Sequence, residues 1–198
     1  MRTKLTILLL LLGFSLDAAA QDCLSGFRVR RAWQQSPMWC WAATMQMIID
    51  FHDSSSDVSQ CDIVEDYFDV DDCEEAVFSG GYMNKMKAFL EDNDLGTTFT
   101  CDLVNRPLSV NEIVDNILDC KPIIISIRPS PFSNIGHVVV IMGIWQRRDA
   151  YGNPWIEVVL RDPYPYSWNS VVSNGFTGVE YSRLRAIWLS SIYNIDPD

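Results

Sequence analysis

The stretch from Gln34 to Ala43 reads Gln-Gln-Ser-Pro-Met-Trp-Cys-Trp-Ala-Ala. Pro37 discourages an earlier helix start, so Cys40 stands at the opening of a helical pattern that runs to Phe51. A cysteine there meets unpaired backbone N–H groups and the positive end of the helix dipole, both of which favour negative charge. That lowers the thiol pKa and raises the thiolate fraction. Trp39 and Trp41 flank the sulfur, where they would limit water and line a groove. Gln34, six residues upstream, can swing its carboxamide beside the N–H of Cys40. Two such donors would stabilise charge developing on an attacked carbonyl oxygen. Gln35, five residues upstream, is the adjacent alternative.

A thiolate needs a base that pairs with it and later protonates a leaving amine. The chain has two histidines. His52 lies on the same helix as Cys40 and 12 residues on, which is roughly three turns away and out of reach. It is expected as an exposed histidine near a helix C-terminus. His137 opens an apolar strand pattern after Gly136, and a titratable group at the mouth of a buried strand needs a partner or a function. The plainer alternative is a structural histidine held by backbone. A third group should accept a hydrogen bond from the imidazole and fix its tautomer. Asp162 ends the next strong strand pattern, 25 residues after His137. Antiparallel strands joined by the 146–154 loop bring the two to one sheet edge. Asp149 is the rival, at the far end of that hairpin, and an ordinary turn-starting Asp-Pro is the alternative for Asp162.

The elements that position these residues fall into two halves. Trp41, Met45, Ile48 and Ile49 form a broad apolar face at helical spacing. Shorter helices are expected over Val58–Phe68 and Tyr82–Glu91, with Gly96 ending the turn beyond the latter. Ser109-Val110-Asn111-Glu112 is a capping-box pattern that opens a helix to about Cys120. Strands are expected over Pro122–Arg128, His137–Trp145, Trp155–Arg161 and Arg185–Tyr193. Turn signals separate them at Pro129-Ser130-Pro131, Gly152-Asn153-Pro154 and Asn174-Gly175. Helices followed by strands imply an α+β fold with an antiparallel sheet.

The N-terminus is read separately. Arg2 and Lys4, the apolar run Leu5–Phe14 and the small residues Ala18–Ala20 make a secretory signal peptide over residues 1–20. Residues 21–198 are then expected as one domain, secreted or periplasmic once the leader is removed. The apolar run is short for a bilayer span, so no stable membrane insertion is expected. The formal net charge of the 198-residue chain is −11, a balance that disfavours nucleic acid and anionic membranes as partners. The acidic residues concentrate between Asp50 and Asp94 and read as a solvated face.

Six cysteines suit an oxidising compartment. With Cys40 kept free, Cys23, Cys61, Cys73, Cys101 and Cys120 remain, and their pairing stays open. Cys61 with Cys73 and Cys101 with Cys120 are the pairs nearest in sequence. No Cys-x-x-Cys occurs, so a zinc site of the usual spacing is not expected, and the chemistry implies no cofactor or metal.

On these residues the sequence resembles a papain-like cysteine peptidase. The likeness is to the bacterial secreted or effector type, which shares its layout with bacteriocin-processing peptidase domains. The matching blocks are Gln34 to Ala43, Gly136-His137 with the Val-Val-Val-Ile run behind it, and Asp162-Pro163. The resemblance spans about Trp33 to Trp188 and implies hydrolysis of a peptide or protein substrate through a thioester. It implies Cys40 as nucleophile, His137 as base, Asp162 as the residue orienting it and Gln34 in the oxyanion hole. Papain itself has asparagine where this chain has Asp162. In the nearest branch, Cys61 and Cys73 are expected to be structural. Only about 13 residues separate the expected cleavage site from Gln34, fewer than a folded prodomain needs. Restraint would then come from narrow specificity or a separate inhibitor protein.

Two other functions share these residues. One is a Cys-His-Asp amidase, transglutaminase or acyltransferase, because an acyl-enzyme can be resolved by an amine as well as by water. The other is a catalytically silent, disulfide-stabilised binding module. Trp39, Trp41, Trp145, Tyr164, Tyr166 and Trp168 are candidate cleft residues, at least half of them expected in the core.

Overall fold

The computed structural model describes residues 28–128, 136–164 and 176–198. The expected leader, Cys23, the turns at Pro129–Pro131 and Asn174-Gly175, and Tyr166 and Trp168 lie outside these residues. Five α-helices and six strands occur among the described residues: α1 (Cys40–His52), α2 (Gln60–Phe68), α3 (Met83–Glu91), β1 (Phe99–Val104), α4 (Val110–Leu118), β2 (Ile123–Ile127), β3 (His137–Arg148), β4 (Pro154–Arg161), β5 (Phe176–Glu180), α5 (Tyr181–Ile187) and β6 (Trp188–Pro197). The strands form one sheet in the order β1-β6-β2-β3-β4-β5, and every neighbouring pair is antiparallel. The α+β class is therefore as the sequence implies. No helix among the described residues is long and apolar enough to cross a membrane.

Alternation along the strands divides the interior into two cores. Val138, Val140 and Met142 of β3 and Ile124 of β2 meet α1, α2 and α3 on one face. Val139 and Ile141 of β3, with Ile123, Ile125 and Ile127 of β2, meet α4 and α5 on the other. This is the period of two expected of a pleated strand whose both faces are covered. Helix α1 is the centre of the first core. Trp41 to Ile49 are buried except Gln46, so the helix is enclosed on nearly every side rather than on the broad face its sequence suggests.

The local signals account for most boundaries. The capping box at Ser109 and Glu112 forms, and a second one at Ser59 and Asp62 starts α2. Gly96 and Gly152 both adopt positive φ, +88° and +85°, in the turns expected to need them. Three elements differ from expectation. β1 was not among the expected strands, yet its Phe-Thr-Cys-Asp alternation buries Phe99 and Cys101, and it pairs with β6 at the sheet edge. β5 has no strong apolar run and went unread. The last strand starts at Trp188 because Tyr181–Ile187 forms a short helix that buries Leu184.

The disulfide expectations divide. Cys61 and Cys73 are bonded. Cys101 is free and buried, whereas Cys120 is disulfide-bonded, so the two do not pair with each other. Cys101 on β1 packs into the first core, and proximity in sequence carried no information about which sulfur it would face.

The Cys61–Cys73 bridge ties α2 to a loop that holds the start of α1. In that loop the carbonyls of Ala76, Val77 and Ser79 accept hydrogen bonds from Trp39 Nε1, Ser36 Oγ and Trp41 Nε1 at 3.1, 3.1 and 3.2 Å. Trp41 also stacks against Tyr67 of α2 at 4.3 Å between ring centroids. The loop comes so close that a Cβ on Gly81 would lie 2.4 Å from Trp41 Cγ. The Trp41 ring is fully buried and has no room to yield. Gly81→Ala should therefore lower stability by about 1–3 kcal/mol, the usual cost of overpacking. Urea denaturation of the two proteins measures it, and an unchanged midpoint would contradict this packing.

Candidate active site

Cys40 is the first residue of α1. Trp39 precedes it as an N-cap that offers no side-chain hydrogen bond, and the first turn holds no acidic residue. The N–H groups of that turn are left to act on whatever negative charge lies beside them, including the sulfur. Cys40 is half-buried. Trp39 and Trp41 do not line a groove: they are 4% and 0% exposed and serve as the anchors just described.

His137 is the first residue of β3 and Asp162 follows the last residue of β4. The two strands form a hairpin, with Val140 opposite Arg161, so its open end brings the two residues together. His137 Nε2 and Asp162 Oδ1 lie 2.7 Å apart, with His137 6% and Asp162 0% exposed. The same Oδ1 accepts the Tyr164 N–H at 2.7 Å. Cys40 lies close enough to the His137 side chain to raise its pKa as well. Asp149 stays in the hairpin turn at the other end. There its carboxylate accepts the N–H groups of Tyr151 and Asn153 at 2.8 and 2.9 Å.

Burial alone would discharge His137, but the hydrogen bonds and negative charges of Asp162 and Cys40 outweigh it. Its pKa is pushed up from 6.5 to about 9. A thiol, an imidazole and a carboxylate gathered in this way are the groups that thiol-based nucleophilic catalysis uses. His52 is half-buried against Phe51 and Phe99 rather than exposed. Burial pushes its pKa below 6.5, opposed by Asp196.

Gln34 reaches the same neighbourhood by its backbone, its N–H donating to the carbonyl of Pro163 at 3.2 Å, next to Asp162. Its carboxamide nitrogen lies 3.0 Å from the carbonyl oxygens of both Ser36 and Pro37, over the turn that leads into α1. Gln35 is exposed, and its backbone N–H is bonded to Gln60 Oε1 at 2.9 Å.

Two positioning residues escaped the sequence reading. Gln60, at the first turn of α2, is 1% exposed. It donates to the Trp33 carbonyl at 2.7 Å and to Gln46 Oε1 of α1 at 3.1 Å while accepting from Gln35, so one carboxamide holds both sides of Gln34. Nothing in its type or spacing marks it; only the Ser59–Asp62 box predicts where its helix starts. Thr44, one turn after Cys40, donates to the carbonyl of Val138 at 3.3 Å, beside His137. A lone hydroxyl in an apolar helix face is its signal.

The sequence matches the family described as papain-like cysteine protease AvrRpt2 over residues 24–178. No curated protein sequence matches it significantly. Among solved structures, it is similar to the peptidase domain of Streptococcus ComA, a bi-functional ABC transporter involved in a quorum-sensing pathway. That match has a TM-score of 0.57 and 13% identity over 86% of this chain and 100% of that one. It is similar to the SERA5 proenzyme of Plasmodium falciparum, with a TM-score of 0.55 and 11% identity over 89% of this chain and 64% of that one. It is also similar to the ragweed pollen allergen Amb a 11, a cysteine protease in its proform. There the TM-score is 0.51, with 12% identity over 85% of this chain and 63% of that one. The chain thus spans just under two thirds of these last two. At such identities the likeness establishes the fold.

Because the chain has only two histidines, proton NMR can follow each ring. His52 should lose its proton below pH 6.5 and His137 only near pH 9. A folded pKa raised above the unfolded value means that His137 stabilises the fold fully below about pH 6.5, and that this is lost as pH rises through about 9. Asp162→Asn should bring the His137 titration down. Two overlapping titrations near pH 6.5 would remove the ion-pair reading.

Proposed function

Since the chain belongs to the family of the papain-like cysteine protease AvrRpt2, and is a cysteine peptidase, we propose that it is a secreted endopeptidase with Cys40, His137 and Asp162 as its catalytic triad. The observation that carries this reading is the buried 2.7 Å contact of the His137 ring with Asp162 Oδ1, with Cys40 close enough to act on the same ring. In this reading, the Cys40 thiolate attacks the carbonyl carbon of a peptide bond. The electron pair moves to the oxygen, and the resulting oxyanion is held by the Cys40 N–H and the Gln34 carboxamide. Collapse breaks the C–N bond, the amine leaves with the proton of the His137 imidazolium, and a thioester remains. His137 then takes a proton from water, whose oxygen displaces the sulfur and releases the carboxylic acid. Asp162 keeps the ring oriented and favours its charged form. For Gln34 to donate to the oxyanion, its carboxamide must exchange one of its present bonds to Ser36 and Pro37. Removal of residues 1–20 on export, leaving a single domain over 21–198, accords with the Cys61–Cys73 disulfide.

The test uses the two free cysteines found among the described residues. Cys101 is buried and its thiol is pushed up to about 12, which makes it an internal control. A peptide-like electrophile should modify Cys40 at neutral pH and leave Cys101 untouched. His137→Ala should slow that labelling and lower peptide cleavage at least about a thousandfold. Mass spectrometry locates the label, and a Cys40 that stays unmodified, or reacts equally well without His137, removes the peptidase mechanism.

The choice between neighbouring glutamines is also decidable. Gln34→Ala should lower kcat about a hundredfold with little change in KM, as expected for a donor used in the transition state. Gln35→Ala should leave kcat nearly unchanged, because its side chain is exposed and its N–H keeps the bond to Gln60.

A further inference from the structure

Basic residues are scarce in this chain, 15 against 26 acidic, yet Arg28, Arg30, Arg147 and Arg161 line one open groove of about 840 Å³. A β-bulge shapes its floor. Up to Met142, the even-numbered residues of β3 face the first core. The register then shifts between Ile141 and Gly143. The extra residue reverses the alternation, so that Trp145 and Arg147 line the groove beside Val159 of β4. Trp145 is 59% exposed. Glu157 holds Arg147 at 2.7 Å. A Cβ on Gly178 would lie 2.5 Å from the Glu157 carboxylate, so only glycine leaves that carboxylate its place.

The wall of the groove is the segment 28–30, strapped across the end of β4 by Arg161 Nε, which donates to the Val29 carbonyl at 3.0 Å. Arg161 is buried with Arg31 close by, and burial followed by that neighbouring charge lowers its pKa to about 10. Arg28 and Arg30 are exposed and form no ion pair among the described residues, although Arg30 lies near enough to Asp50 to act on its charge. Along the chain, the groove's residues lead to the candidate site: Arg30 lies four residues before Gln34, and Arg161 immediately precedes Asp162.

We propose that this groove is an accessory binding site for an acidic, aromatic-bearing segment of the protein substrate, outside the scissile bond. Guanidinium groups take carboxylates in bidentate geometry, and Trp145 in the same groove offers an aromatic face to a side chain of that segment. The remainder of the chain repels acidic peptides, so the groove also selects where such a segment lands. Only the naming of the occupant as substrate rests on the peptidase reading; the binding does not require the catalytic roles.

Fluorescence anisotropy tests it on the chain carrying Cys40→Ala, which cannot cut the probe. The probe is a fluorescein-labelled peptide of alternating Glu and Phe, with Gln/Phe and Lys/Phe peptides and a single-stranded oligonucleotide as comparisons. The Glu/Phe peptide should bind best, more weakly as salt rises from roughly 20 to 300 mM, and about tenfold more weakly with Arg28→Glu, Arg30→Glu or Trp145→Ala. These residues are exposed, so thermal unfolding of each variant should match the parent. With Cys40 restored, electrophile labelling of the same variants reports on the catalytic reading separately. Equal binding of the Glu/Phe and Gln/Phe peptides, or binding unchanged in the variants, overturns the proposal. So does preference for the oligonucleotide, or a dimer that the variants dissolve, which would assign the groove to a second copy.

Discussion

A helix enclosed on nearly every side can slide or turn only if the core around it repacks, and α1 is such a helix. Its apolar contacts fix its depth but discriminate weakly between nearby axial positions, because dispersion and hydrophobic burial have little directionality. The hydrogen bond from Thr44 to the Val138 carbonyl supplies the missing direction. A buried hydroxyl without a partner is costly, so one axial setting of α1 against β3 is preferred. That setting brings the sulfur one turn before Thr44 to the imidazole one residue before Val138. The indole hydrogen bonds of Trp39 and Trp41 act at the same end of the helix and fix its rotation.

Burying a histidine and a carboxylate together is not a cheap way to stabilise a fold. Desolvation opposes both charges, and an apolar pair of similar volume would commonly serve stability as well. Here the carboxylate is fully buried but not left to a single partner, since Asp162 Oδ1 receives the Tyr164 N–H as well as His137. The backbone donor keeps the carboxylate satisfied whichever proton the ring holds, so a change in ring charge need not move the strand end.

The sequence was most legible where one residue type has one physical use. That His137 at a strand mouth would meet Asp162 at the end of the next strand was readable, because an antiparallel hairpin brings its open ends together. The Ser109–Glu112 box and the alternating strands were readable for the same local reasons. What was not legible depends on distant partners. Trp39 and Trp41 look like groove residues until the 76–79 loop is seen to accept their indole N–H groups. Gln60 acts through three hydrogen bonds to segments far from it in sequence. That Cys101 would stay unpaired was not legible, because connectivity is a property of the folded core. β1 and β5, the two edge strands, were missed because a strand with a single neighbour needs little apolar sequence.

The bulge in β3 divides one continuous strand between two masters. Its first half carries His137 and answers to close packing, where almost any change in volume is felt. In its second half, from Gly143 on, Trp145 and Arg147 line an open groove while Ile144 packs against the second core. A lineage could therefore exchange Trp145 or Arg147 freely while the residues ahead of the bulge stayed as they are. The inserted residue works as a partition in the chain's evolvability: preference for a partner can drift on one side while the machinery on the other is inherited intact.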